Sequence, residues 1–241
     1  MKTFIKKIIR CLLAPFVLTN YARFNMLDKT KRFSNDLGDL NPQIFDKTFK
    51  TRFDRHYVYH TAWAVRKVKQ IAPEFHTDIS SSLYFSGMLS AFVPVKFYDY
   101  RPADLELGNL ECGKADLRKL PFPEGSLKSL SCMHTIEHIG LGRYGDAINP
   151  DGDLLAIAEL KRVLAPGGDL LVVVPVGKPR IEYNAHRIYS YEQIIDYFKG
   201  LDLAEFVLIP EASGGLIKGA SAARVAQETY ACGCFWFKKK I

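Results

Sequence analysis

The chain has 241 residues, 48% of them apolar, which suffices for an ordinary globular core and excludes a disordered segment or a disulfide-stapled miniprotein. Its formal charge of +7 is uneven: residues 1–70 carry 15 Lys and Arg against five Asp, so the basicity sits in the N-terminal third. Five cysteines, Cys11, Cys112, Cys132, Cys232 and Cys234, are an odd number without framework spacing, which fits a reducing compartment and makes the cytoplasm the expected location.

At the N-terminus, Phe4, Ile5, Ile8, Ile9, Leu12 and Leu13 share one helical face, while Lys2, Thr3, Lys6, Lys7 and Arg10 occupy the other. This predicts a basic amphipathic helix that Pro15 interrupts. The uncharged stretch from Cys11 to Tyr21 is shorter than the roughly 20 apolar residues needed to cross a bilayer. Residues 1–18 are therefore expected to lie on the inner face of a membrane, held by apolar burial and attraction to anionic headgroups, with Lys29, Lys31 and Arg32 adding charge. Packing on the chain's own domain, a homodimer contact and a signal peptide are the alternatives; Arg10 and the lack of a small-residue cleavage site oppose the last. Phe24, Phe33, Phe45 and Phe49 are interleaved with the basic residues, yet no nucleic-acid-binding module accompanies them and no nucleic-acid partner is expected.

Residues 1–55 are thus read as a basic helical extension and 56–241 as one domain. A helix is predicted over about Tyr57–Ile71. Strands are predicted at Phe75–Ser80, Val95–Tyr100, Leu127–Met133, Asp169–Pro175, Leu203–Ile209 and Tyr230–Phe237. Leu154, Leu155, Ile157, Ala158 and Leu160 have helical spacing over 153–164, and Pro166-Gly167-Gly168 is expected to stop that helix. Another begins after Ser190, with Gln193 completing a capping box. Cys232-Gly233-Cys234 reads as part of a buried strand rather than a metal or redox pair, because its neighbours are apolar and aromatic. Continuous apolar strands separated by helices indicate a doubly wound α/β sheet covered on both faces. Ligands bind such sheets beyond the strands' carboxyl ends, where strand order reverses. Asp78, Asp99, Asp116 and His134 all fall at or just after predicted strand ends.

From Asp99 to Gly168 the landmarks follow a fixed order. Asp99 closes an apolar run, Asp116-Leu117 precedes a Leu-Pro-Phe-Pro turn, Met133-His134-Thr135-Ile136-Glu137-His138 follows a second run, and Leu164-Ala165-Pro166-Gly167-Gly168 introduces a third. In this order, over about residues 56–210, the chain resembles the class I methyltransferases that use S-adenosylmethionine and have a Rossmann-like fold. The runs His134–Asp153, Glu159–Gly177 and Asn184–Gln193 resemble more narrowly a methyltransferase-like family of unknown function first described from Caenorhabditis. Its bacterial members resemble genes of surface-polysaccharide clusters, which implies a glycan or other small-molecule substrate.

The resemblance implies that Asp99 accepts hydrogen bonds from the cofactor ribose, that Asp116 faces the adenine amino group, and that Leu117 contacts the ring. Asp78 lies 21 residues before Asp99, the separation of a strand, helix and strand. The first-strand loop departs from the family pattern: Ser80, Ser81 and Ser82 stand where glycines would let the backbone approach the ligand. Asp78, Ser80 and Ser82 are still assigned to the cofactor, since hydroxyl and backbone groups suit its amino acid end.

Methyl transfer requires alignment of an oxygen or nitrogen nucleophile and removal of its proton. His138, His134 and His186 are the candidate bases, with Glu137 as orienter or alternative base, and a satisfied structural histidine is the competing reading for each. His138 ranks first because the resemblance places it at the cleft. His186 follows because Asn184-Ala185-His186-Arg187 precedes a helix and suits a lid. In the loop from Gly140 to Gly152, Arg143 and Tyr144 are assigned to substrate.

His134-Thr135-Ile136-Glu137-His138 also matches H-x-x-E-H, by which some zinc peptidases present two ligands and a base from one helix. Gly140, Gly142 and Gly145 oppose a long helix there, and no metal is expected. A binding or scaffolding module of the same fold without chemistry is the stronger rival, since fold does not prove activity.

Overall fold

A computed structural model describes the backbone of residues 2–241 and the side chains of residues 15–241. The chain divides into two units, Met1–Phe53 and Asp54–Ile241. In the first, helix α1 (Lys2–Leu27) contains Pro15, so the interruption expected there does not end the helix. Proline removes one backbone donor and strains one turn, but helix-forming residues on both sides carry the winding through. The Thr19 hydroxyl donates to the Pro15 carbonyl at 2.9 Å. The amphipathic face expected over residues 4–13 lies outside the described side chains. Among the described residues, no helix is long and apolar enough to cross a membrane.

The second unit opens with α2 (Arg55–Ile71), whose first turn is capped by the Asp54 carboxylate accepting from the Tyr57 backbone N–H. The succeeding elements are β1 (His76–Ile79), α3 (Leu83–Leu89), β2 (Val95–Asp99), β3 (Leu110–Lys114), β4 (Leu127–Met133), α4 (Gly152–Val163) and β5 (Leu164–Val176). After them come β6 (Arg180–Glu182), β7 (His186–Ile188), α5 (Tyr191–Tyr197), β8 (Leu201–Ile209), β9 (Ile217–Lys218), α6 (Ala222–Val225) and β10 (Ala231–Lys239). The predicted capping box is present: Ser190 Oγ accepts from the Gln193 N–H, and the Gln193 side chain accepts from the Ser190 N–H.

Eight strands form one sheet in the order β3-β2-β1-β4-β5-β10-β8-β9. The strands from β3 to β5 are parallel, and β10 runs antiparallel to both β5 and β8. Successive residues of β5 face opposite sides: Leu170 and Val172 join the cluster holding Ile157 and Leu160 of α4, while Leu171 and Val173 join Trp63 of α2 and Phe85 of α3. Buried on both faces, Leu170–Val174 reads as one unbroken apolar run, which is why β5 was visible in sequence.

Two expectations need correction. The segment Ala165–Gly168 belongs to β5 rather than to a helix-ending turn; α4 has already ended at Val163. Gly167 takes a left-handed φ of 72°, and the pairing with β4 shifts register between Leu127 and Ser129, so Pro166-Gly167-Gly168 is absorbed as a strand irregularity. The edge strand β3 was not anticipated, because Leu-Glu-Cys-Gly-Lys has neither an apolar run nor clean alternation.

Candidate functional site

Strand order reverses between β1 and β4, and a cleft of about 740 Å³, including its open mouth, lies beyond the carboxyl ends of the strands there. Ser80, Asp99, Asp116, Leu117, His134, His138 and Tyr144 line it. The fold gathers these residues from the ends of β1, β2 and β4, the turn after β3 and the loop beyond β4. Tyr100, Arg101, Arg118, Thr135, Ile139 and Asp146 also line the cleft and were not singled out as site residues.

Asp99 Oδ1 accepts from the Arg101 backbone N–H at 2.7 Å, which fixes the carboxylate at the end of β2 and leaves Oδ2 available. Asp116 is held by Arg118, which donates from its backbone N–H and Nε to Oδ1 and from Nη2 to Oδ2 at 2.8 Å. The Arg118 hydrogen bonds keep the Asp116 carboxyl below its ordinary range against the opposing cost of burial. Leu117 is buried and supplies an apolar wall.

The serine loop makes the turn that glycine would ordinarily make. Ser80 adopts a left-handed φ of 56°, and its N–H donates to the Tyr98 carbonyl at 2.7 Å. Its hydroxyl turns back onto the same carbonyl, while its own carbonyl accepts from Thr135 Oγ1 at 2.8 Å. These bonds offset the cost, about 1–2 kcal/mol, of a left-handed conformation in a residue with a side chain.

Asp78 and Ser82 stand elsewhere. Ser82 precedes α3 and lines a separate groove with Tyr57 and Met88. Asp78 is fully buried, accepting from Ser131 Oγ at 2.5 Å and Ser86 Oγ at 2.6 Å. Because Ser131 spends its proton on Asp78, the 2.9 Å contact from His76 Nε2 to Ser131 Oγ makes Nε2 the donor, and His76 Nδ1 accepts from Ser129. Burial raises the Asp78 carboxyl to about 6 despite these serines and lowers His76 to about 3. This network joins β1, β4 and α3, and none of its members lines the cleft.

After β4 the backbone does not form a long helix. His134 takes φ 55°, and Ile136–His138 form one 3-10 turn. The two histidines of the H-x-x-E-H pattern turn to different partners, which removes the peptidase-like arrangement. His134 Nδ1 lies 2.9 Å from Glu137 Oε1, whereas His138 Nδ1 donates to the Ala185 carbonyl at 2.6 Å. That bond leaves His138 Nε2 as the unprotonated nitrogen, 3.8 Å from Glu137 Oε1. Burial lowers the His138 imidazole despite the Glu137 charge, so it is neutral at physiological pH. Burial opposes ionisation of Glu137 too, but the His134 hydrogen bond holds its carboxyl below the usual value.

His186 begins β7 rather than lining the cleft; its ring stacks on Tyr230 and lies 6.3 Å, centre to centre, from that of His138. Its hairpin contributes the Ala185 carbonyl, which also accepts from Arg143 Nη1 at 2.9 Å. Arg143 therefore anchors the rim while Tyr144, with Arg101 and Arg143 over its ring, faces the cleft. The loop is closed at Gly140, whose N–H donates to Asp146 Oδ2 and whose carbonyl accepts from the Asn149 N–H.

A second group of side chains adjoins His134 from the other side. His60 of α2 and Cys232 of β10 are fully buried, and Cys232 Sγ is 3.5 Å from His134 Nε2. The rings of His56, Tyr57 and His60 pack against His134. Sequence reading missed this cluster because its members come from α2, the β4 exit and β10 with no local motif to link them.

The fold recurs among solved proteins. A Haloferax volcanii protein solved with the Trm112 methyltransferase activator matches with 18% identity and a TM-score of 0.51, over 78% of this chain and 92% of that one. The Burkholderia thailandensis 1,6-didemethyltoxoflavin-N1-methyltransferase, solved with 1,6-didemethyltoxoflavin and S-adenosylhomocysteine, matches with 10% identity and a TM-score of 0.52, over 76% and 79%. The chain has the class I methyltransferase fold. A Bacillus halodurans C-125 protein assigned as a methyltransferase matches this fold with 14% identity and a TM-score of 0.52, over 73% and 99%. The profile of a family described as Caenorhabditis protein of unknown function, DUF268, matches residues 124–211, from the β4 approach to the end of β8. No curated protein matches the chain.

Proposed function

We propose that this methyltransferase-fold protein is an S-adenosylmethionine-dependent enzyme that methylates an oxygen or nitrogen nucleophile. The observation that carries the reading is the convergence of Asp99, Asp116-Leu117 and His138 on one cleft at the strand-order reversal. The residues fit the cofactor: Asp99 keeps one carboxylate oxygen free for ribose hydroxyls, Leu117 offers an apolar face to a purine, and the left-handed turn at Ser80 replaces the missing glycine. When bound, S-adenosylmethionine supplies the electrophilic methyl group.

The chain's own residues then have three tasks. Asp99, Asp116 and Leu117 orient the cofactor's adenosine end, and Ser80 bounds its amino acid end. His138 receives the acceptor's proton on Nε2, while the Ala185 carbonyl holds the proton on Nδ1 and so fixes the tautomer. Tyr144 shields the cleft mouth, and Arg143 steadies its rim through Ala185. His134 and Glu137 form a buried hydrogen-bonded pair behind His138, which makes Glu137 an orienter. A sugar hydroxyl or amine of a surface glycan is the acceptor class favoured by the resemblance of residues 134–193. The basic N-terminal third supports a place for α1 at an anionic membrane surface.

A binding module without chemistry is the second reading, favoured by the Arg118 side chain that already occupies both oxygens of Asp116. Thermal unfolding with and without S-adenosylhomocysteine distinguishes cofactor binding from its absence. At a hundred times the dissociation constant, a ligand specific for the fold stabilises it by about 2.7 kcal/mol. An unchanged unfolding temperature at millimolar ligand contradicts the reading.

A further inference from the structure

We propose that His60, His134 and Cys232 bind a divalent transition-metal ion, zinc by ligand preference, at the junction of α2, the β4 exit and β10. One donor atom from each residue lies within 4.8 Å of the other two. A tetrahedral zinc ion with nitrogen bonds of about 2.0–2.1 Å and a sulfur bond of about 2.3 Å sets its ligand atoms roughly 3.5 Å apart. The 3.5 Å separation of His134 Nε2 and Cys232 Sγ already meets that spacing. The set lies beside the cleft and shares only His134 with it.

Both histidines are arranged as ligands. A metal-bound imidazole typically donates its second N–H to a carbonyl or carboxylate, which fixes the tautomer and the ring plane. His60 Nδ1 is 2.7 Å from the His56 carbonyl, and His134 Nδ1 is 2.9 Å from Glu137 Oε1. Each bond leaves Nε2 with its lone pair toward the cluster. His60 Nε2 is buried without any hydrogen-bond partner, in a residue that exposes none of its surface. An unsatisfied buried nitrogen is costly, and a bound cation supplies the missing partner.

The charges also balance. A divalent ion with the Cys232 thiolate and the adjacent Glu137 carboxylate forms a neutral set, whereas either anion alone is costly in this interior. Glu137 Oε2 has no hydrogen-bond partner and is buried. Binding displaces one proton from the Cys232 thiol to solvent, with no change of oxidation state. One thiolate and two imidazoles suit zinc better than magnesium or calcium, which take oxygen ligands. Three protein ligands leave one tetrahedral position for water or for a substrate heteroatom.

Cobalt(II) substitution tests the site without reference to activity. The full chain, stripped with chelator and dialysed, is titrated with Co²⁺ and then with Zn²⁺. The expected result is one equivalent of Co²⁺ bound, a thiolate-to-cobalt charge-transfer band, visible d–d bands of four-coordinate intensity, and loss of both on adding Zn²⁺. Cys232→Ser abolishes the charge-transfer band, and His60→Gln weakens binding at least tenfold. Cys234→Ser, which removes a thiol two residues along the same strand, retains both. Circular dichroism of each variant establishes folding, and the parent spectrum stands by itself if a variant does not fold. Folded parent protein that takes up no stoichiometric cobalt, or takes it up without a thiolate band, overturns the proposal. So does a band that survives in folded Cys232→Ser.

Discussion

Arg118 grips Asp116 at both carboxylate oxygens, with Nε at 3.1 Å from Oδ1 and Nη2 at 2.8 Å from Oδ2, inside the cleft. Oδ1 also accepts from the Arg118 backbone N–H, so the guanidinium orients the carboxylate while Oδ2 keeps a lone pair for an adenine amino group. Asp116→Ala should therefore weaken S-adenosylhomocysteine binding about tenfold or more, the loss of roughly one charge-assisted hydrogen bond. Arg118→Leu removes only the orientation and should cost about threefold, under 1 kcal/mol. Calorimetric titration of both variants checks the order; a larger loss in Arg118→Leu would make the arginine the ligand contact.

His138 is the proposed base, and its removal should lower kcat by about 10²–10⁴-fold with little change in cofactor affinity. Because burial lowers its pKa below the ordinary imidazole value of 6.5, the unprotonated form persists into mildly acidic solution. The acid limb of the kcat profile should consequently lie below pH 6.5 and disappear in His138→Ala. A profile with its acid limb above neutrality would point to another base.

Asp78 makes stability depend on pH in an unusual direction. Its carboxyl is raised from 3.8 to about 6, so the folded chain holds this proton where the unfolded chain has released it. Stability from this group is full below the lower value and lost as pH rises through the upper one. The shift of about two units corresponds to about 3 kcal/mol. Urea unfolding of the parent and Asp78→Asn between pH 4 and 7 should show the parent losing ground to the variant as pH rises. Parallel curves would show that Asp78 does not titrate in this window.

The sequence disclosed the parts of the fold that local chemistry dictates. β5 was legible because both of its faces are buried in one apolar run, and α5 because Ser190 and Gln193 close a capping box within four residues. Asp99, Asp116 and His138 were legible because strand ends have sequence landmarks. Asp78 shows the limit: a carboxylate at a strand end faces either the cleft or the sheet interior, and a one-residue change in the turn decides which. Ser131 and Ser86, 53 and eight residues away, settle it. The pairing of His60 with Cys232 was illegible for the same reason, since only the completed sheet brings α2 beside β10.

Gly140 and Gly145 both have left-handed φ, 82° and 83°, but differ in surroundings. A Cβ on Gly140 would lie 2.0 Å from the Asn149 carbonyl oxygen, while one on Gly145 meets nothing within 4 Å. Gly145→Ala should cost about 1–2 kcal/mol from backbone strain alone. Gly140→Ala should cost more, and should displace Tyr144 from the cleft by forcing the loop ends apart. Urea midpoints of the two variants read the difference; equal midpoints would mean that the loop closes elsewhere.

Isothermal titration of the purified chain with S-adenosylmethionine, alongside NAD and a nucleotide sugar, tests the central claim most directly. Selective micromolar binding, about −8 kcal/mol, is expected, weakening at least tenfold in Asp99→Ala. Folded protein that releases no heat with S-adenosylmethionine, or that binds NAD equally well, would contradict it.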